Sequence, residues 1–288
     1  MVFGIDINMD SNQTFIFIDG SYYCFYRYYS LVTWWKNAYP DTVLENPYEN
    51  PKFLEKFKTT FIKNIEEIPK KLHLSKDCKP IMIAAKDCKR ENIWRTALFP
   101  EYKANRDHAN DKFEGGPFFK MVYEEKLFQR GGARAILKHS QLEADDCIAI
   151  SVKHILQTYP NSTIYIITSD KDYLQLLEPR VKIFNLAFKN IAEQKSCSGN
   201  PECDLFCKIV MGDPSDNIKS IFPKCGIKTA LKYFQNKELF KEKVEKEKAE
   251  QKLELNTTLI DFNKIPQHLI AEFYTHTILK TVETVETN

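Results

Sequence analysis

Three observations predict an α/β chain with a mostly parallel central sheet, helices on both faces, and an all-helical C-terminal subdomain. Short apolar runs rich in β-branched and aromatic residues alternate with stretches of helical period, the order of a parallel sheet joined by crossover helices. Three of these runs lead into aspartate. After Ala187 the runs stop and lysine-rich helical segments take over, which divides the chain into 1–187, carrying the sheet, and 188–288.

Thr14-Phe15-Ile16-Phe17-Ile18 predicts a buried strand that ends on Asp19-Gly20-Ser21. Asp19 then stands at the C-terminal end of a central strand, where open α/β sheets place their ligands, or it caps the next helix. Tyr22 to Tyr29 predicts a helix whose rings are core or a stacking platform for bases. Phe53, Phe57, Phe61, Ile65 and Ile68 recur at helical spacing and predict one crossover helix over 51–72. Pro80 to Ala85 predicts the next strand, which runs into Lys86 and Asp87.

Trp94-Arg95 and Phe99 to Arg106 then interleave aromatic and basic residues around a proline. Arg95, Tyr102, Lys103 and Arg106 suit a phosphate held by a cation while a base stacks on a ring, or they form a solvated basic loop. Asp107 to Gly116 predicts a mobile loop, Phe118 to Arg130 an amphipathic helix, and Ala133 to Lys138 a weak strand. Glu143-Ala144-Asp145-Asp146 opens a helix running to about Gln157. Carboxylates this close repel one another, and a cation removes the penalty; their hard oxygens suit Mg²⁺ or Mn²⁺ rather than zinc. The other reading is an acidic first turn favoured by the helix dipole. Thr163 to Thr168 predicts a strand ending in Ser169-Asp170-Lys171-Asp172, and Val181 to Leu186 a further strand. In a parallel sheet these ends share one edge, so Asp19, Asp87, Glu143, Asp145, Asp146, Asp170 and Asp172 converge there.

In the second part, Asp213 and Asp216 flank a Pro-Ser turn and either share a cation or cap the next helix. Pro223 to Ala230 predicts a turn opening a helix, where Lys224, Gly226, Lys228 and Thr229 can hold a phosphate. Lys237 to Lys252 reads as a solvated helix face or an ill-ordered excursion, and Thr281 to Asn288 as a frayed tail.

Composition narrows the class. Apolar content of 43% and charged content of 28% describe a soluble globular protein whose 288 residues can bury a proper core. No stretch is apolar and long enough to span a membrane, and the polar N-terminus is not that of a signal peptide. Eight scattered cysteines suggest a reducing, intracellular compartment, and the spacing of Cys197, Cys203 and Cys207 matches no standard zinc motif. The net charge of +2 decides nothing about nucleic acid.

Five stretches taken together resemble the 5′-nuclease superfamily of flap endonucleases and 5′→3′ exonucleases. They are Phe17 to Ser21; Asp87 with Arg95, Pro100 and Tyr102 to Arg106; Glu143 to Asp146; Ser169 to Leu176; and Gly212 to Ile218. They stand in the family's order from about Thr14 to Phe234, and Ile260 to Pro266 looks most like the phage-type RNase H branch. The resemblance implies a PIN-like catalytic domain with a helical arch or clamp over about 100–130, then a helix–three-turn–helix that grips duplex DNA. It implies two Mg²⁺ ions, with Mn²⁺ able to substitute. Asp19, Asp87, Glu143, Asp145 and Asp170 match the tighter site; Asp172, Asp213 and Asp216 match the second, with Asp146 between. Lys103 and Arg106 match the basic catalytic pair. Lys224 stands where the family usually has the first glycine of Gly-Ile-Gly, the turn that holds K⁺ in relatives. The implied substrates are flap, nicked or 5′-ended duplex DNA and RNA–DNA hybrid, cut by a monomer with no membrane partner. The competing readings are a PIN-type single-strand ribonuclease, a catalytically silent nucleic-acid scaffold, and a haloacid-dehalogenase-type phosphatase. The phosphatase would need a second Asp where Ser21 stands.

Overall fold

The computed structural model describes residues 12–106 and 114–278. The expected loop over 107–116 therefore lies largely outside the described residues, and the expected tail wholly so. The fold is a five-stranded, all-parallel sheet covered by helices, followed by a helical region.

Strand β1 (Thr14–Asp19) leads into α1 (Gly20–Ala38), then α2 (Pro51–Glu66), α3 (Ile68–Lys71) and β2 (Ile81–Ala85). Next come α4 (Trp94–Leu98), α5 (Gly116–Glu124), α6 (Leu127–Arg130), β3 (Ala135–Leu137), α7 (Ala144–Thr158), β4 (Thr163–Ile167) and β5 (Val181–Phe184). The helical region holds α8 (Pro201–Met211), α9 (Ile227–Gln235), α10 (Lys237–Glu247), α11 (Glu250–Ile260) and α12 (Gln267–Phe273).

The strand order is β3-β2-β1-β4-β5, so β1 lies at the centre and the chain reverses its direction of growth beside it. That reversal opens a crevice at the carboxyl ends of β1 and β4, the usual ligand site of such sheets. Alternation along the strands sorts the core. Phe15, Phe17, Ile83, Ile164 and Ile166 pack under α7 and α12. Ile16, Ile18, Met82, Ala84 and Ile167 pack against α1, α2 and α5. Both faces are covered, which is why these strands read as unbroken apolar runs.

Gly20 is required by close approach, since a Cβ there would collide with the Ala85 carbonyl and the Tyr123 hydroxyl. Gly212 closes α8 at φ 73°, a left-handed conformation that glycine adopts without strain.

Several expected helices divide. Pro69 ends the first crossover helix early, so 51–72 forms α2 and α3. The expected helix over 118–130 breaks at Lys126, which adopts φ 55°. Phe118, Met121 and Val122 are buried, but the next positions on that face are Glu125 and Lys126, so the chain rephases to bury Leu127 and Phe128. The lysine-rich stretch is ordered as α10 and the start of α11, separated at Lys248. No helix among the described residues is long and apolar enough to cross a membrane, and the eight cysteines are free thiols.

Candidate active site

Acids gather where β1, β2 and β4 end. Asp19 caps α1 by accepting from the Tyr22 amide at 3.0 Å, and it accepts from Thr168 Oγ1 at 3.0 Å. Asp87 accepts from the Ala144 amide at 2.8 Å and from the Ser21 hydroxyl, which ties β2 to the starts of α7 and α1. Asp170 caps a 3₁₀ turn over Lys171–Leu176. Desolvation, with Asp87 and then Asp170 nearby, pushes the Asp19 carboxyl up to about 7, against the bond from Tyr22.

Two groups of three carboxylates have oxygens within 4.8 Å of one another: Glu143, Asp145 and Asp146, and Asp172, Asp213 and Asp216. The expected second set is thus brought together. In the first set Asp146, expected to lie between the two sites, groups instead with Glu143 and Asp145. Asp145 is pushed well above the carboxylate range by burial, then by Asp146 and Glu143. Burial would also raise Glu143, but Lys103 and Arg95 hold it below its usual value.

Arg95 and Tyr102 correct the expectation of nucleic-acid contact. They are only 2% and 4% exposed and lie beneath the acids. The Arg95 guanidinium donates to both oxygens of Asp146 at 2.7 and 2.8 Å, to Glu143 at 3.0 Å and to the Leu259 carbonyl at 2.8 Å. Trp94 Nε1 also donates to Asp146, which closes a capping box with Glu143. Asp146 is fully buried with both oxygens occupied, so it anchors the start of α7 rather than facing the crevice. The Tyr102 hydroxyl is 3.0 Å from both Glu143 and Asp216.

Arg95→Ala should therefore cost about 3–5 kcal/mol of stability, because it leaves buried charges unpaired. Urea melts would check this, and a loss under about 1 kcal/mol would mean a surface role.

Lys103 links the two acidic groups. Its ammonium pairs with Glu143 and lies 3.7 Å from Asp216, while its amide donates to the Asp216 carbonyl at 3.0 Å. Arg106, half exposed, pairs with Asp216 and donates to the Ser215 carbonyl at 3.1 Å. Asn105 and Asn217 add bonds in each direction, so the segment 101–106 is clamped to the turn at 213–217. Burial opposes the Lys103 charge, but Glu143 and Asp216 raise its pKa beyond the ordinary lysine value.

Lys224, Gly226, Lys228 and Thr229 are exposed, where Gly226 starts α9 without a side-chain cap. Lys224 adopts φ 57°, the left-handed conformation a glycine would take freely. Of the α1 rings, Tyr23 and Tyr28 are core, while Phe25, Tyr26 and Tyr29 are exposed.

Lys208 on α8 is a site residue not expected from the sequence: its ammonium pairs with Asp172 and lies 2.7 Å from Asp213 Oδ2. The available signal was its position as the lone charge in Leu205 to Met211.

An all-oxygen donor set with an uncompensated, desolvated Asp145 fits a hard divalent cation. The family described as "5′-3′ exonuclease, N-terminal resolvase-like domain" matches residues 14–200. A 5′-3′ exonuclease of Buchnera aphidicola subsp. Acyrthosiphon pisum is 30% identical over 231 residues, covering 78% of this chain and 71% of that protein. Ribonuclease H of Enterobacteria phage T4 is 32% identical over 144 residues, covering 47% of this chain and 44% of that protein. The phage T5 D15 protein, crystallised with metal ions, superposes with a TM-score of 0.62 at 18% identity, covering 91% of this chain and 97% of that one. As a flap endonuclease variant it has also been solved with DNA and metal ions, with a TM-score of 0.61. The chain belongs to the 5′-3′ exonuclease family and is a 5′-nuclease, a hydrolase of phosphodiester bonds.

Proposed function

We propose that this structure-specific 5′-nuclease uses two Mg²⁺ ions, replaceable by Mn²⁺, to trim flap, nicked or RNA-primed duplexes during replication and repair, acting as a monomer. The observation that carries the reading is that Lys103 joins two carboxylate clusters, one holding Glu143 and Asp145 and the other Asp172, Asp213 and Asp216. The T4 ribonuclease H and T5 flap endonuclease relatives support the choice of RNA-primed and flap substrates.

In this reading Asp19, Asp87, Glu143, Asp145 and Asp170 surround the tighter ion, and Asp172, Asp213 and Asp216 the second. When bound, such ions acidify a water and neutralise charge on the phosphate and the leaving 3′-oxygen. The chain's own residues do the rest. Arg95, Trp94 and Asp146 fix the start of α7, and with it the direction of Glu143. Lys103 and Arg106 present positive charge to the scissile phosphate. Residues 1–187 form the catalytic domain and 188–288 hold the duplex; an arch over the whole of 100–130 does not fit, because Phe118, Val122, Leu127 and Phe128 of α5 and α6 are buried in the core against the sheet. In 188–288, Lys224, Gly226, Lys228 and Thr229 take backbone phosphates through charge and the amides of α9.

Labelled flap, nicked, RNA-primed and single-stranded substrates, each with Mg²⁺ or chelator, test the proposal. The expected result is 5′ cleavage of junction substrates, abolished by chelator. Preferential cutting of single-stranded RNA, or metal-independent cleavage, would overturn it.

A further inference from the structure

The two acidic groups differ in how their charge is balanced. Of the residues proposed around the tighter ion, Glu143 is paired with Arg95 and Lys103, whereas Asp19, Asp87, Asp145 and Asp170 make no ion pair among the described residues and stay uncompensated. Every member of the second group has a basic partner. Asp216 is paired with Arg106 and Lys103, and Asp172 and Asp213 share the Lys208 ammonium. Lys103 and Arg106 approach from the segment beside the turn and also face the crevice. Lys208 comes from α8 and bridges two carboxylates at the point where an ion would sit.

We propose that Lys208 is a resident counter-cation of the second metal site: an incoming ion must displace its ammonium, so the site fills weakly until a substrate phosphate offers that ammonium another partner. This rests on the two-metal reading above. An ammonium 2.7 Å from Asp213 Oδ2 and in contact with Asp172 leaves no room for a metal on the same oxygens, and a nearby divalent charge would repel it. The ammonium has somewhere to go. A cavity of about 260 Å³ lies beside it, lined in part by Lys171, Asp172, Lys208, Asp213 and Ile227. A phosphate bound across the two sites would draw the ammonium outward and release the carboxylates. Ion and substrate then favour each other's binding, and the coupling is reciprocal.

Mn²⁺ titrations of the full chain without DNA, read by calorimetry or by the spectrum of free Mn²⁺, test this. The unmodified protein should show one tight and one weak class. Lys208→Met should tighten the weak class about tenfold or more and leave the tight class unchanged, the low end of what close charge pairs are worth. Lys208→Arg, which keeps the charge, should leave the second class weak, and it serves if the methionine variant folds poorly. With a 5′-phosphorylated product duplex bound, the gap between the unmodified protein and Lys208→Met should narrow. Equal weak-class affinities in the unmodified and Met proteins would overturn the role of Lys208 while leaving the two-metal reading intact. A gap that DNA does not change would overturn the coupling to phosphate. Failure of the unmodified protein to bind any Mn²⁺ would overturn both readings.

Discussion

Asp145→Asn is expected to abolish cleavage while raising the melting temperature in chelator. The substitution removes one charge at nearly constant shape, and the asparagine Oδ1 can still accept the 2.7 Å bond from the Asp146 amide. The local backbone is therefore preserved, and the change is electrostatic. In the metal-free protein Asp145 is crowded by Asp146 and Glu143 and desolvated, which is why its carboxyl is held well above the ordinary range. Neutralising it relieves that repulsion. Its loss as a ligand leaves the divalent ion unbound or misplaced, so the chemistry stops. DNA binding should hold or improve, since a negative charge facing phosphate has gone. Added Mg²⁺ should raise the melting temperature of the unmodified protein more than that of the variant, through mass-action linkage to the folded state. If Asp145 were only a helix-start residue, the variant would melt lower, by roughly 1 kcal/mol of stability. A variant that cuts at near-normal rate would remove Asp145 from the metal site.

The acidic edge was legible because it depends on local signals that add up. β1, β2 and β4 are central and covered on both faces, so they read as continuous apolar runs, and Asp19, Asp87 and Asp170, at or just past those strand ends, are brought to one edge by the sheet itself. The three-residue β3 gave a weak signal because it lies at the sheet edge and is too short for a pattern. What was not legible depends on partners far along the chain. Arg95 and Tyr102 belong to a basic and aromatic stretch that looks the same as a surface platform or as a buried strut. The deciding contacts are the Leu259 carbonyl, 164 residues away, and the carboxylate of Asp216, 114 residues from Tyr102. Lys208 was hidden for the same reason, since Asp172 lies on another element.

Those distant contacts also sharpen what Lys103→Ala should show. Lys103 sits at the rim of the crevice with its side chain 14% exposed, touching Glu143 from one group and close to Asp216 from the other. In the proposed reading a phosphate reaching across the two groups passes this ammonium, and its charge acts where negative charge develops during the reaction. Removing one such donor typically lowers the rate by about 10²–10³. In the proposed reading duplex affinity rests on Lys224, Gly226, Lys228 and Thr229, so it should change little. Lys103 also neutralises Glu143, so a structural contribution has to be separated from a catalytic one. Glu143 keeps Arg95 and Tyr102 as partners in the variant, and the fold should survive with a modest drop in melting temperature. Single-turnover cleavage of a flap, measured beside equilibrium binding of the same flap and a thermal melt in Mg²⁺, distinguishes the cases. The expected pattern is a large rate loss with binding nearly unchanged. Equal losses in rate and affinity would make Lys103 a docking contact, and a collapse of the melting temperature with the rate would make it a structural counter-ion of Glu143.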